Sequence, residues 1–396
     1  MYPAAQQKLW NRSFSLCVLN NLFLFIYYYA LLTILPLYIL KELSGSISQA
    51  GLALTLFLIS SIAIRPFAGL IIERFGEKTA LRGSALLFAF LAFGYLCINQ
   101  LWVLLLIRFV HGIWFSILTT VTVPIVNEFI PEHRKGEGMG YFVMSTNLAV
   151  VFGPMIALAT LRYTSFYNLF ILLTVIVCLG LIFCFLIPVP SLKNRQLVQA
   201  KQKISLNGII ERRVVPIGVI ALFVAMAYSS IMSFISVYSE AKGLLAETSI
   251  FFIIFAISMI LARPWVGYSY DKRGANSVVY PSFILFAIGL FVVSQMQTQW
   301  EYWFAAALIG AGYGSLFPVF QTMAIQTVVK KRIGYAVSTF FTLFDLGMAI
   351  GSVLVGFIIA QIGYEKTYQF CALITIFTLF LYRWLCNRDI KTKIGI

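Results

Sequence analysis

Three ionisable residues lie within otherwise apolar runs of this sequence, where they could bind a proton or a charged group. Asp345 lies in F-D-L-G-M-A-I-G, and Arg108 and His111 lie in L-L-L-I-R-F-V-H-G-I-W-F. A group buried in apolar surroundings must be neutralised or paired, and burial favours the protonated form of a carboxyl. We predict that Asp345 carries a proton, with Arg108 and His111 as further proton-coupling residues.

The sequence leaves two interpretations of this set open. Asp345 is the only carboxylate near the middle of an apolar run, and it either exchanges a proton with solvent or forms a permanent ion pair with Arg108. Arg108 in turn either takes part in transfer of a proton or substrate, or serves only in packing, bonded to backbone carbonyls.

A second set of residues is mostly aromatic, with two amides, and falls near the middle of its runs. Such a lining suits amphipathic organic molecules and selects among them broadly. Because successive residues point in different directions around a helix, the run Tyr27 to Tyr29 can place only part of its rings in a pocket. The candidate substrate-binding residues are Tyr27, Tyr28, Asn147, Tyr228, Phe317, Gln321 and Phe341.

The elements that must position these residues are long apolar helices. Hydrophobic residues make up 61% of the chain and charged residues 11%, which is far from the composition of a soluble domain. Twelve runs reach the length of about 20 residues that a helix needs to cross a bilayer. The sequence therefore predicts an all-α integral membrane protein with twelve transmembrane helices.

One stretch occurs twice and divides the chain in two. R-P-F-A-G-L-I-I-E-R-F-G begins at Arg65 and R-P-W-V-G-Y-S-Y-D-K-R-G begins at Arg263, an offset of 198 residues in a chain of 396. A repeat of this length indicates two homologous six-helix halves. We predict an N-terminal half at residues 1–187, a basic linker at 188–213 and a C-terminal half at 214–396.

The net charge of +15 is distributed unevenly along the predicted helix connections. With both termini inside, 22 Lys and Arg residues fall on the cytoplasmic side, and the outer side holds only Lys41, Arg162, Lys242 and Lys366. This bias predicts cytoplasmic termini and a cytoplasmic linker. It also favours lipid, rather than nucleic acid, as the partner of the basic charge.

The repeated loops resemble the signature loop of the major facilitator superfamily of transporters, G-x-x-x-D-(R/K)-x-G-(R/K)-(R/K). The second loop keeps Asp271, whereas the first has Glu73. The resemblance implies the major facilitator fold, with alternating access to a central site. It also implies a gating role for Gly69, Glu73, Arg74, Gly76, Gly267, Asp271, Lys272 and Gly274.

Two further segments resemble the drug and proton antiporter branch of that family. Arg108 and Gly112 fit L-x-x-x-R-x-x-Q-G-x-G, with His111 in place of Gln, and Gly153 and Pro154 form the core of a second antiporter signature and a candidate bend. The resemblance implies that the protein lies in the inner membrane and that inward proton flow drives export. The R-P-x-x-G and F-D-L-G segments look most like a bacterial subgroup that exports drugs or metal-chelating metabolites.

Other functions find little support in the sequence. It contains no G-x-x-x-x-G-K-(S/T) phosphate loop, which argues against an ATP-driven pump. The histidines and six cysteines have no metal-ligand or disulfide spacing, so we expect no enzyme activity, cofactor or metal. We expect a monomer whose partners are a small-molecule substrate, protons and the bilayer. A proton-coupled importer and a passive channel remain as alternatives.

Overall fold

The computed structural model describes residues 8–131, 134–189, 211–328 and 333–394. Among these, the side chains outside the description are those of residues 66, 69, 70, 73, 135–137, 271, 333, 334 and 386–394. Within the described ranges, every regular element is an α-helix or a short 3₁₀ helix. This agrees with the apolar composition, because only a helix satisfies all its own backbone hydrogen bonds within one segment in hydrocarbon.

Six long helices come from the first part of the chain. They are α1 (Arg12–Lys41), α2 (Ile47–Phe75), α3 (Glu77–Gly94), α4 (Leu101–Phe129), α5 (Lys135–Tyr163) and α6 (Phe166–Leu186).

Five helices follow the predicted linker. They are α7 (Val215–Ala241), α8 (Thr248–Arg273), α9 (Asn276–Gln295), α10 (Gln299–Gln326) and α11 (Ile333–Ile394). In α11, Gly363 is non-helical with φ 80° and ψ 173°, and it separates residues 333–362 from residues 364–394. Each arm of α11 is long enough to cross a bilayer. The two arms account for the last two of the twelve predicted helices.

Local sequence signals fix several helix starts. The Ser165 hydroxyl accepts a hydrogen bond from the backbone of Asn168 at the start of α6. At the start of α10, Thr298 and Glu301 form a reciprocal capping box. These caps satisfy backbone N–H groups that the first helical turn leaves open.

The repeated loops have the same backbone conformation in both copies. Gly76 lies between α2 and α3 with φ 81° and ψ 152°, and Gly274 lies between α8 and α9 with φ 79° and ψ 174°. Glycine adopts such a positive φ without steric cost. These glycines are 198 residues apart, so the two copies of the repeat share backbone conformation as well as sequence.

The chain forms two compact units. Unit 1 comprises Met1–Ile34 and Ile59–Gln202, and unit 2 comprises Leu35–Leu58 and Lys203–Ile396. The division into halves at residues 187 and 214 stays a prediction, since most of the linker lies outside the described residues.

Within unit 2, the helical hairpin Leu35–Leu58 packs on helices from the second part of the chain. The Thr55 hydroxyl donates to the carbonyl of Ala349 over 2.6 Å, and the Ser352 hydroxyl donates to the carbonyl of Gly51 over 3.0 Å. These bonds join α2 to α11 inside one compact unit.

Candidate functional site

An aromatic wall in unit 2 joins α7, α10 and α11. The rings of Tyr228 and Tyr313 stack with centroids 3.5 Å apart and planes at 10°. One turn further along α10, Phe317 contacts Phe341 at 5.9 Å and Phe344 at 4.9 Å. We call these five residues the aromatic wall. Of the predicted substrate-binding residues, it brings together Tyr228, Phe317 and Phe341.

Asp345 lies beside this wall, one helical turn after Phe341 on α11, and its side chain is half-buried. Gln321 is likewise half-buried, one turn after Phe317 on α10. A carboxylate in this position borders both apolar rings and accessible space. It can therefore meet a proton and an amphipathic molecule at one surface.

Close helix packing holds α11 in this position. A Cβ on Gly347 would overlap the carbonyl group of Leu222 on α7, and a Cβ on Gly351 would lie 2.6 Å from the Cα of Met226. Only glycine permits such backbone contact. Gly347 and Gly351 therefore fix the distance of α11 from α7 and the rotation of α11, and these determine the position of Asp345.

Unit 1 contains a buried polar cluster around Arg108. Arg108 is 1% exposed and His111 is fully buried. The Tyr95 hydroxyl lies 3.4 Å from His111 Nδ1 and forms a hydrogen bond with the Arg108 guanidinium, and Tyr27 lies close enough to feel the charge of Arg108. The rings of Tyr27 and His111 are 5.6 Å apart. The structure thus brings together three predicted residues, Tyr27, Arg108 and His111, inside one unit.

The repeat supplies an internal control for this cluster. The positions in unit 2 that lie 198 residues after Arg108 and His111 are Ala306 and Ile309, and both are fully buried. The same helix position is therefore filled by apolar side chains in one unit and by a guanidinium and an imidazole in the other. Unit 2 therefore packs this helix position without a buried charge.

Polar contacts also join α1 to α5 in unit 1. The Asn21 amide donates to Ser145 Oγ over 2.8 Å and to Thr146 Oγ1 over 2.9 Å. Asn147, the next residue on α5, is half-buried. The predicted substrate residue Tyr28 lies elsewhere on α1 and stacks on Phe115 at 5.1 Å, so Tyr27 and Tyr28 point in different directions, as helix geometry requires.

Gly153 and Pro154 are both buried in α5. A Cβ on Gly153 would lie 2.9 Å from the carbonyl oxygen of Ile26 and 2.8 Å from Tyr29 Cβ. This glycine therefore permits close packing of α5 on α1.

The predicted gating residues are described only in part. The side chains of Glu73 and Asp271, and the surroundings of Gly69, lie outside the description. The Lys272 amine donates to the Tyr268 hydroxyl over 2.9 Å. Arg74 is exposed, and a Cβ on Gly267 would meet no atom within 4 Å. The gating role of these loops stays a prediction.

Not every residue of the aromatic wall and of the cluster around Arg108 was identified from the sequence. Tyr313 is one helical turn before Phe317, so its spacing on α10 is a usable signal. Tyr95 joins the cluster around Arg108 through a contact between helices, which spacing within one helix does not reveal. Among the described side chains, no group of three or more His, Cys, Asp or Glu could hold a metal ion.

The chain matches the family model described as Major Facilitator Superfamily over residues 17–328 and 245–395. It is 23% identical to the "Multidrug resistance protein MdtG" of Serratia proteamaculans, covering 99% of this chain and 98% of that protein. It is 23% identical to the protein of the same name from Enterobacter lignolyticus, covering 81% of this chain and 78% of that protein.

Solved structures with the same fold include two kinds of transporter. The nucleoside transporter NupG aligns over 94% of this chain and 99% of its own, with a TM-score of 0.73 and 12% identity. A POT family transporter in complex with a thioalcohol-conjugated peptide aligns over 95% of this chain and 96% of its own, with a TM-score of 0.74 and 14% identity.

Proposed function

This chain belongs to the Major Facilitator Superfamily, and on that premise we propose that it exports small organic molecules across the inner membrane in exchange for protons. It is a multi-pass membrane transporter for small molecules and not an enzyme. The exported molecules are drug-like compounds or a metabolite such as a metal chelator. The relatives named as multidrug resistance proteins support export.

The observation that carries this proposal is the half-buried Asp345 at the edge of the aromatic wall. A proton carrier must be buried enough for its environment to change its affinity for a proton, and open enough to exchange that proton with water. Asp345 meets both conditions. It takes up a proton when its site faces outward and releases the proton when its site faces inward.

The wall itself supplies the substrate contacts. The half-buried rings of Phe317, Phe341 and Phe344 offer apolar faces, next to the buried stack of Tyr228 and Tyr313. Gln321 offers one donor and one acceptor group beside these rings. Few directional bonds and much ring surface select by size and amphipathic character. Tyr27, Tyr28 and Asn147 of unit 1 are the further substrate-binding residues of the proposal.

The remaining predicted residues take supporting roles. The buried Arg108 holds a positive potential inside unit 1, and Arg108 and His111 together act on proton transfer from there. The repeated loops with Glu73 and Asp271, and the Gly153–Pro154 segment of α5, change conformation as access alternates. The termini and the linker are cytoplasmic, and the protein works as a monomer.

The second candidate function is proton-coupled import of a small metabolite. It is favoured by the fold shared with the nucleoside transporter NupG. Import and export use the same helices, the same proton site and the same inward movement of protons, and they differ in the direction in which the substrate moves.

Inverted membrane vesicles with an acidic interior distinguish the two directions. Export predicts that an amphipathic fluorescent dye accumulates inside these vesicles, that Asp345→Asn abolishes the accumulation, and that the control Glu247→Gln does not. Glu247 is an acid in the short 3₁₀ helix before α8, away from the wall. Gradient-driven loss of dye would establish import, and full accumulation by Asp345→Asn would exclude Asp345 as the proton carrier.

A further inference from the structure

Asn147 on α5 and Asp345 on α11 lie 198 residues apart, which is the offset of the internal repeat. The sequences around them also correspond, since N-L-A at Asn147 matches D-L-G at Asp345. We propose that these are equivalent substrate-contacting positions of the two units, and that the coupling carboxylate works from either one. This inference rests on the proposed export function and assigns Asn147 a part in proton coupling.

Six residues C-terminal to Asn147 and to Asp345, each helix has a glycine that contacts the first helix of its own unit. Six residues after Asn147, Gly153 packs against α1 at Ile26 and Tyr29. Six residues after Asp345, Gly351 packs against α7 at Met226 and Ser229. Each glycine fixes the distance of its helix from the first helix of its own unit.

Two residues N-terminal to Asn147 and to Asp345, each helix again contacts the first helix of its own unit. Two residues before Asn147, Ser145 accepts a hydrogen bond from Asn21 of α1. Two residues before Asp345, the side chain of Leu343 packs against Gly218 of α7. The two positions therefore lie between matching contacts, and these contacts fix the rotation of both helices.

Equivalent positions on α5 and α11 also have similar solvent exposure. Asn147 and Asp345 are both half-buried. Phe152 and Ile350 are both exposed, at 37% and 39%, and Ala157 and Val355 are both buried. Equal exposure at equal register means that both side chains point in the same direction within their own units.

The chemistry of the pair explains why only one member needs to ionise. An Asn amide has nearly the shape of a protonated Asp carboxyl, and both are neutral groups with a donor and an acceptor. When Asp345 binds a proton from the outer water, both units present the same kind of neutral group. When that proton leaves to the inner water, only unit 2 carries a negative charge.

The test exchanges the two residues. The variant Asn147→Asp/Asp345→Asn should recover proton-driven dye uptake in inverted vesicles to within about tenfold of the wild-type rate, whereas Asp345→Asn alone shows none. The matched control is Leu148→Asp/Asp345→Asn, which places the acid on the same helix about 100° away. The control should not recover uptake. A folded exchange variant without uptake, or equal recovery by the control, would overturn the inference.

A second measurement requires no buried acid. In a cysteine-free background, Asn147→Cys and Asp345→Cys should both react with a water-soluble thiol reagent, and bound dye should slow both reactions. Leu148→Cys should show no such protection. Protection of Asp345→Cys without protection of Asn147→Cys would also overturn the equivalence. The proposed function fails separately, if Asp345→Asn alone still accumulates dye.

Discussion

At the scale of single residues, the buried charge of Arg108 serves either transport or helix packing, and a substitution distinguishes the two roles. Its side chain is 1% exposed, forms a hydrogen bond with the Tyr95 hydroxyl and lies close to Tyr27. The corresponding position of unit 2 is filled by Ala306, which is fully buried and apolar. A buried cation has a large desolvation cost, and we predict that the charge of Arg108 takes part in transport.

We expect Arg108→Met to separate stability from transport. The substitution removes the desolvation cost of a buried guanidinium and also its hydrogen bond to the Tyr95 hydroxyl, a loss of about 1–3 kcal/mol, so the two effects oppose each other and the unfolding temperature should change little. Dye export should drop by about tenfold or more. Thermal unfolding in detergent and vesicle uptake measure the two effects, with Arg108→Lys as the charge-retaining control. A strongly lowered unfolding temperature of Arg108→Met, with full transport activity per folded molecule, would assign Arg108 to packing.

The stacked pair Tyr228 and Tyr313 yields a prediction about substrate affinity. Tyr313→Ala removes the ring that stacks on Tyr228 at 3.5 Å, and we expect the Tyr228 ring to lose its position for stacking on a bound aromatic dye. An aromatic contact with the dye contributes about 0.5–1.5 kcal/mol beyond area burial. Dye affinity should therefore fall by about 2- to 12-fold. Fluorescence titration measures it, and Phe357→Ala, a residue 55% exposed on α11, is the control. Equal affinity of wild type and Tyr313→Ala would remove the stack from the substrate site.

The sequence predicted part of the wall and of the cluster. Phe317, Phe341 and Asp345 were identified because they lie mid-helix at positions where polar or aromatic groups interrupt aliphatic runs. Phe344 and Tyr95 were not, because their roles depend on the rotation of neighbouring helices. That rotation is set by tertiary packing such as the Gly347 contact with Leu222.

At the scale of helices, glycines decide how closely α11 approaches α7. A Cβ on Gly347 would overlap the backbone of Leu222, whereas Gly83 and Gly140 have no atom within 4 Å of an added Cβ. These three positions separate the effect of helix packing from the intrinsic preference of a helix for alanine.

We expect Gly347→Ala to destabilise the protein and to reduce transport, since α11 must move away from α7 and carries Asp345 with it. Gly83→Ala should be neutral or stabilising by up to about 1 kcal/mol, the difference in helix propensity between Gly and Ala. Thermal unfolding compares the two variants at matched expression. Equal unfolding temperatures of Gly347→Ala and wild type would show that α7 and α11 tolerate a wider separation at this contact.

Most helices were predictable from the length of the apolar runs, and the positive φ at Gly76 and Gly274 follows from the repeated loop sequence. The packing of the hairpin Leu35–Leu58 within unit 2 was not predictable. It depends on contacts such as Thr55 with Ala349, which join positions 294 residues apart. No local pattern in the sequence carries that information.

At the scale of the whole molecule, the distribution of Lys and Arg predicts the orientation of the chain in the membrane. Cytoplasmic loops of membrane proteins carry an excess of these residues, and here the excess is 22 against four. In the proposed orientation, Asp345 takes its proton from the outer solution and releases it to the cytoplasm.

Single cysteines in a cysteine-free background test this orientation. Ser46→Cys, between α1 and α2, should react with a membrane-impermeant thiol reagent on intact cells, and Ser191→Cys should react only after permeabilisation. Both should react in permeabilised cells, which controls for reagent access. Labelling of Ser191→Cys on intact cells would reverse the orientation.

The central claim is that outward movement of substrate and inward movement of protons are one coupled process. Purified protein in liposomes that contain a pH-sensitive dye tests it directly, when a gradient of an amphipathic substrate is imposed with no initial pH difference. The account predicts that protons move against the direction of substrate flow, and that Asp345→Asn abolishes this movement. Proton movement in the same direction as the substrate, or proton movement without substrate, would contradict it.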